Sequence, residues 1–169
     1  MNGGRRARAP RRWLPLAAAA CVWLAVPGFA CELVLAGSRS GRELARLPLQ
    51  ASAPAARIAF THSVLGTGVT DHYSWRFDDG QWRAHLVEER FEGQGYGLPH
   101  AAGPGESLTR EGDIWRLRLD RLVHPLLVLP LPALGMRVLV DGRAPLLLGT
   151  LATTGGESIS LRAQACPNP

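Results

Sequence analysis

Two runs of alternating apolar and polar residues, 69–77 and 82–86, are separated by Asp78-Asp79-Gly80-Gln81. An Asp-Gly pair between alternating runs is a strong short-range hairpin signal, because glycine supplies the positive φ that such tight turns require. A two-residue or a four-residue loop gives the same register: Phe77 opposite Trp82, Trp75 opposite Ala84, Tyr73 opposite Leu86, and Asp71 opposite Glu88. A three-residue loop would set Trp75 against Arg83 and mix an apolar face with a charged one, and a buried face specifies register strongly. The hairpin therefore sorts its side chains. Val69, Tyr73, Trp75, Phe77, Trp82, Ala84 and Leu86 face a core, whereas Thr70, His72, Ser74, Arg76, Arg83 and His85 face solvent.

The rest of the chain after residue 31 reads the same way. "CELVLA", "RELARLPL", "ARIAFTHS", "DIWRLRLD", "HPLLVLPL", "MRVLVDG", "APLLLG" and "ESISLRA" are short strand signals bounded by Gly, Pro, Asp and Ser. No stretch carries a helical apolar stripe with caps at both ends. The expected fold is all-β, a single-domain antiparallel β-sandwich or barrel-like structure over residues 31–169. The Gly-rich segment from Gly93 to Gly105 reads as a long loop within that domain.

Residues 1–30 read as a secretory leader: five arginines, an apolar stretch from Trp13 to Phe29, and Pro27-Gly28-Phe29-Ala30 as the cleavage site. An uncleaved anchor and a lipid on Cys31 are the alternatives, so any membrane attachment runs through the N-terminus. The chain has nineteen arginines, no lysine and fourteen acidic residues. Five of those arginines belong to the leader, so the mature chain balances fourteen against fourteen and lacks the basic excess that nucleic-acid binding requires. Cys21 leaves with the leader. Cys31 and Cys166 remain, one at each end, and a disulfide joining first strand to last suits an oxidising periplasmic or secreted location.

The hairpin register leaves one anomaly. Asp71 and Glu88 would lie opposite each other on an otherwise apolar face, where two carboxylates repel and lose hydration. In "ARIAFTHS" His62 shares the face of Ile58 and Phe60, so His62, Asp71 and Glu88 would converge inside the domain. Ser63 leaves the opposite face, which removes it as a nucleophile for His62, and no Gly-x-Ser-x-Gly elbow offers another. Three readings of the convergence remain open: a buried polar network with an arginine such as Arg57 or Arg90, a pocket for a small cationic or hydroxylated ligand, and a divalent metal site. The Gly95 to Pro99 stretch, with Gly97, would line such a pocket with backbone, and it lacks the spacing of a dinucleotide cradle.

Taken together, "FTHSVLGTGV", then Asp71 and Tyr73, then "EERFEGQGYGLP", is similar to the small exported bacterial family called domain of unknown function 1850. The resemblance covers roughly Glu32 to Leu161 and is most specific from Phe60 to Pro99. It adds Ser63 and Tyr73 to the candidate ligand-binding residues His62, Asp71, Glu88, Gly95, Gly97 and Pro99. Asp71 stands where the family pattern leads one to expect a glutamate, and Tyr96 where a smaller residue is usual. The resemblance implies no reaction and no cofactor. It implies an exported accessory or binding module, with a small solute or a component of a TAXI-type tripartite transporter as partner. A metal-dependent enzyme built on His62, Asp71 and Glu88 is the alternative.

Overall fold

A computed structural model describes residues 1, 31–151 and 154–167. The leader expected over residues 1–30 lies, Met1 apart, outside the described residues. Among the described residues, eleven strands make two antiparallel sheets. The smaller sheet runs β2 (Glu43–Pro48), β1 (Glu32–Gly37), β11 (Ile159–Gln164), β8 (Leu126–Val128). The larger sheet runs β10 (Leu146–Leu147), β9 (Arg137–Leu139), β3 (Ala55–Thr61), β4 (Gly68–Asp78), β5 (Gln81–Glu92), β7 (Ile114–Leu122), β6 (Ser107–Glu111).

One buried cluster draws on both sheets: Leu33 and Leu35 of β1 and Ile159 and Leu161 of β11 meet Ile58, Val69, Trp75, Phe91, Leu117 and Val138 of the larger sheet. This is the sandwich arrangement expected from the sequence, in which each sheet buries one face against the other. The alternation explains it residue by residue. Val69, Tyr73, Trp75, Ala84 and Leu86 are buried, and their neighbours His72, Ser74, Arg83 and His85 lie on the opposite face. The expected β4–β5 turn forms, with Asp79 and Gly80 both at positive φ (49° and 77°).

Two elements differ from expectation. Strand β6 pairs along the edge of the larger sheet beside β7, yet its sequence, SLTRE, has only Leu108 as an apolar residue and so carries no alternation to read. The strand signal in HPLLVLPL shrinks to the three residues of β8, because Pro130 interrupts it and Pro132 opens a 3-10 turn, Pro132–Leu134. β8 is accordingly an edge strand.

The two chain ends of the fold are tied together. β1 and β11 pair in antiparallel register from Glu32 opposite Gln164 to Gly37 opposite Ile159, and Cys31 and Cys166 form a disulfide just beyond that ladder. Regular extension would bring Ala165 opposite Cys31. Ala165 instead adopts φ 55°, which turns Cys166 back to the bond.

Candidate functional site

The β4–β5 ladder keeps the expected register from Asp78 to Tyr73 and then slips by one. A β-bulge leaves Val87 without a partner on β4, so His72 faces Glu88 and Asp71 faces Glu89. A one-residue slip moves every following side chain to the other face of the sheet. Glu88, expected beside Asp71, therefore stands on the solvent face, and Glu89 replaces it. A pair of carboxylates on the inner face exists, but it is Asp71 and Glu89, and both are half-buried.

Those two acids border a cavity of about 610 Å³ at the interior face of the larger sheet. Phe60, Val69, Phe91 and Leu117 supply its apolar floor. Polar groups come from His62 at the end of β3, from Glu106 just before β6, and from Arg121 on β7. Tyr96, Gly97, Leu98 and Pro99 close one wall. Glycine is required in that wall: Gly95 and Gly97 hold φ near 90° and 98° on either side of Tyr96 at 52°, conformations a side chain disfavours. The bend brings Gly95 and Leu98 into a single antiparallel bridge and lets Leu98 pack against the core.

Of the sequence candidates, His62, Asp71, Gly97 and Pro99 line this cavity. Tyr73 lies just behind Asp71, its hydroxyl directed at Asp71 Oδ2 at 3.5 Å, and Gly95 shapes the loop without lining it. Ser63 sits exposed on the turn after β3, and Glu88 faces away. The His62–Asp71–Glu88 set is thus never assembled. Among the described residues no three His, Cys, Asp or Glu side chains gather in a way that could hold a metal ion.

The electrostatics follow from burial. Asp71 is pushed up to about 7, first by loss of hydration and then by the negative charge of Glu89, with the Tyr73 hydroxyl opposing the rise. Glu89 is also raised, by burial and by Glu106, with Arg121 pulling the other way. Burial together with the two acids raises Tyr73, which stays a phenol and a donor. Arg121 is held by Glu106 at 3.1 Å, and the other oxygen of Glu106 accepts the Gly103 N–H at 2.9 Å, so Glu106 ties the loop to β7. Nδ1 of His62 accepts the N–H groups of Val64 and Leu65, each at 3.2 Å. That use of the lone pair places the proton of the neutral ring on Nε2.

Glu89, Glu106 and Arg121 escaped the sequence reading, although one signal for Glu89 was present. The inward residues of β5 begin at even positions, Trp82, Ala84 and Leu86, while the next large apolar residue, Phe91, is odd. The inward residues of β4 are odd throughout. A change of parity on one strand alone requires an extra residue between Leu86 and Phe91.

No curated protein and no solved structure matches the chain. The family model described as Domain of unknown function (DUF1850) matches residues 57–146, a span that holds most of β3, β4 through β9, the bulge, the Gly-rich wall and every polar residue of the cavity. The chain belongs to that DUF1850 family.

Proposed function

We propose that this chain is a binding module of the bacterial cell envelope, and that the cavity beneath the Gly95–Pro99 wall takes a small solute bearing an amine or several hydroxyl groups. The observation that carries this reading is the placement of Asp71 directly across from Glu89 on an otherwise apolar face, open to a cavity of about 610 Å³. Burial and the neighbouring charge raise both carboxylates, so that Asp71 retains a proton up to about pH 7. A cation or a set of hydroxyl donors takes the place of that proton and restores what burial removed. Arg121 and the backbone of the loop also line the cavity, where they suit the polar remainder of a solute.

Binding rather than turnover is the reading the lining supports. It contains no serine or cysteine, and Nδ1 of His62 is committed to its own turn. An exported location draws support from the disulfide, which belongs to oxidising compartments, and from the leader pattern. Service to a TAXI-type tripartite solute transporter draws its support from the family resemblance.

The test is calorimetric titration of the purified chain with a panel of small amines and polyols at pH 7, in buffers of differing ionisation heat. The expected result is saturable binding of an amine, release of protons on binding, and loss of both in Asp71→Asn. Absence of binding across the panel, or binding untouched by Asp71→Asn and Glu89→Gln, overturns the reading and leaves the pair as an internal network.

A further inference from the structure

One part of the solvent face of the larger sheet carries an excess of arginine, whereas near the β4–β5 turn Arg76, Arg83 and His85 are met by Asp78, Asp79 and Asp120. The register sets two rows of side chains across the strands. One runs Arg57, His72, Glu88, Arg118, and the other runs Arg137, Ala59, Thr70, Arg90, Arg116. These rows hold five arginines and one acid. At the rim Asp141 pairs with Arg57 at 2.6 Å and Glu111 with Arg116 at 2.6 Å, so five cations stand against three anions. Arg90 lies directly opposite Arg116, a like-charge pairing that costs stability unless something intervenes.

Glu88 is what intervenes, and it does so incompletely. Its Oε1 accepts from Arg90 Nε at 2.5 Å and lies 3.7 Å from His72 Nε2. Its Oε2 stands 3.6 Å from Arg116 Nε and 3.8 Å from Arg118 Nε, both beyond hydrogen-bond distance. Arg116 Nε is buried without a hydrogen-bond partner, and two-thirds of the Arg118 side chain is exposed. Glu88 fixes Arg90 and Glu111 fixes Arg116, while Arg118 meets Glu88 only at 3.8 Å, so guanidinium donors are left in excess. A guanidinium fork in a fixed position is the group that recognises carboxylates.

From this we infer that the outer face of the β9–β3–β4–β5–β7 sheet is a docking surface for an acidic, extended segment of a partner protein, separate from the cavity on the inner face. The dimensions fit such an occupant. Four inter-strand steps of about 4.8 Å make a row of roughly 19 Å, which about six extended residues span. The chemistry favours a protein over a lipid surface: among the described residues the exposed large apolar ones, Met1, Val64, Tyr96, Leu122, Leu127, Leu129, Leu131 and Leu147, all lie outside the two rows, whereas membrane-surface binding combines basic groups with apolar side chains that insert.

The experiment measures binding of a fluorescent peptide of about eight glutamates to the whole chain at low and moderate salt, with anionic phospholipid vesicles as a parallel probe. The expected result is peptide binding that weakens as salt screens it, and weakens at least about ten-fold in Arg118→Glu. Arg118 contacts Glu88 only at long range and is mostly exposed, so this change leaves the fold intact, which circular dichroism verifies. Arg137→Glu, an exposed site without a Glu88 contact, is the second variant and weakens binding in the same direction, while Asp71→Asn leaves it unchanged. Three results overturn the inference: no peptide binding at low salt, peptide binding indifferent to both arginine reversals, or binding to the vesicles and not to the peptide.

Discussion

Asp71 and Glu157 show two ways of burying a carboxylate. Asp71 has one long contact, to Tyr73, and is raised to about 7 by burial and by Glu89. Because its folded value lies above the value of about 4 in an unfolded chain, the folded state retains a proton that the unfolded state releases between those limits. Stability from this site is fully present below about pH 4 and declines as pH rises to about 7. Denaturant titrations at pH 5 and pH 8 should show the decline, and Asp71→Asn should flatten it and gain on the order of 3 kcal/mol at pH 8. Glu157, only 4% exposed, is fully used. It accepts the N–H groups of Arg39 and Ser40 at 2.8 and 2.9 Å and the Ser40 hydroxyl at 2.7 Å. A Cβ on Gly37 would collide with Glu157 and with Ser40 Oγ, so the glycine is what lets the carboxylate approach the turn. Glu157→Ala should cost about 2–4 kcal/mol by leaving those donors unpaired, and thermal unfolding would report it.

At the scale of elements the bulge in β5 decides what the site contains. Val87 is the inserted residue, and it puts Glu89 and Phe91 on the inner face while Glu88 and Arg90 go outward. Deleting Val87 would reverse all four, placing Glu88 and Arg90 in the core and Phe91 in water. Expression of the deletion should yield no cooperatively folded protein by circular dichroism, whereas Val87→Ala, which preserves the residue count, should cost no more than about 1–2 kcal/mol. The hairpin itself was legible because its apolar residues repeat every second position up to a turn with a glycine. β6 was not, since an exposed edge strand has no buried face to impose a pattern. The cavity wall was legible from its glycines and its closeness in sequence to the acids, and Gly97 and Pro99 do line the cavity; the packing of Leu98 against the core was not, because positive φ can be inferred from glycine while the direction of the chain cannot.

Across the whole molecule, the balanced charge of residues 31–169 is divided by one sheet. Acids Asp71, Glu89 and Glu106 gather with Arg121 on the inner side, and arginines gather around Glu88 on the outer side. The disulfide closes a separation of 135 residues and joins the central strands of the smaller sheet. Reduction, or Cys31→Ser with Cys166→Ser, should lower stability by about 2–5 kcal/mol, read as a drop in the unfolding midpoint with the native sheet content retained. Alternation, turn residues and cysteine positions were enough to expect from the residues alone an antiparallel sandwich or barrel-like fold, a Cys31–Cys166 bridge and an acid facing Asp71 near the Gly-rich loop, because each depends on neighbours a few positions apart or on the two cysteines at its ends. That the sheets form a sandwich and that the cysteines are joined is what the tertiary structure decided. Which carboxylate joins Asp71, and that Glu106 and Arg121 stand beside it, depended on the slip at Val87 and on the packing of β7 against β5. The change of parity along β5 marks the slip in the sequence, but the placing of Glu106 and Arg121 beside it comes with the burial of Phe91 and Leu117 against the facing sheet, a free energy that no local stretch of the chain contains.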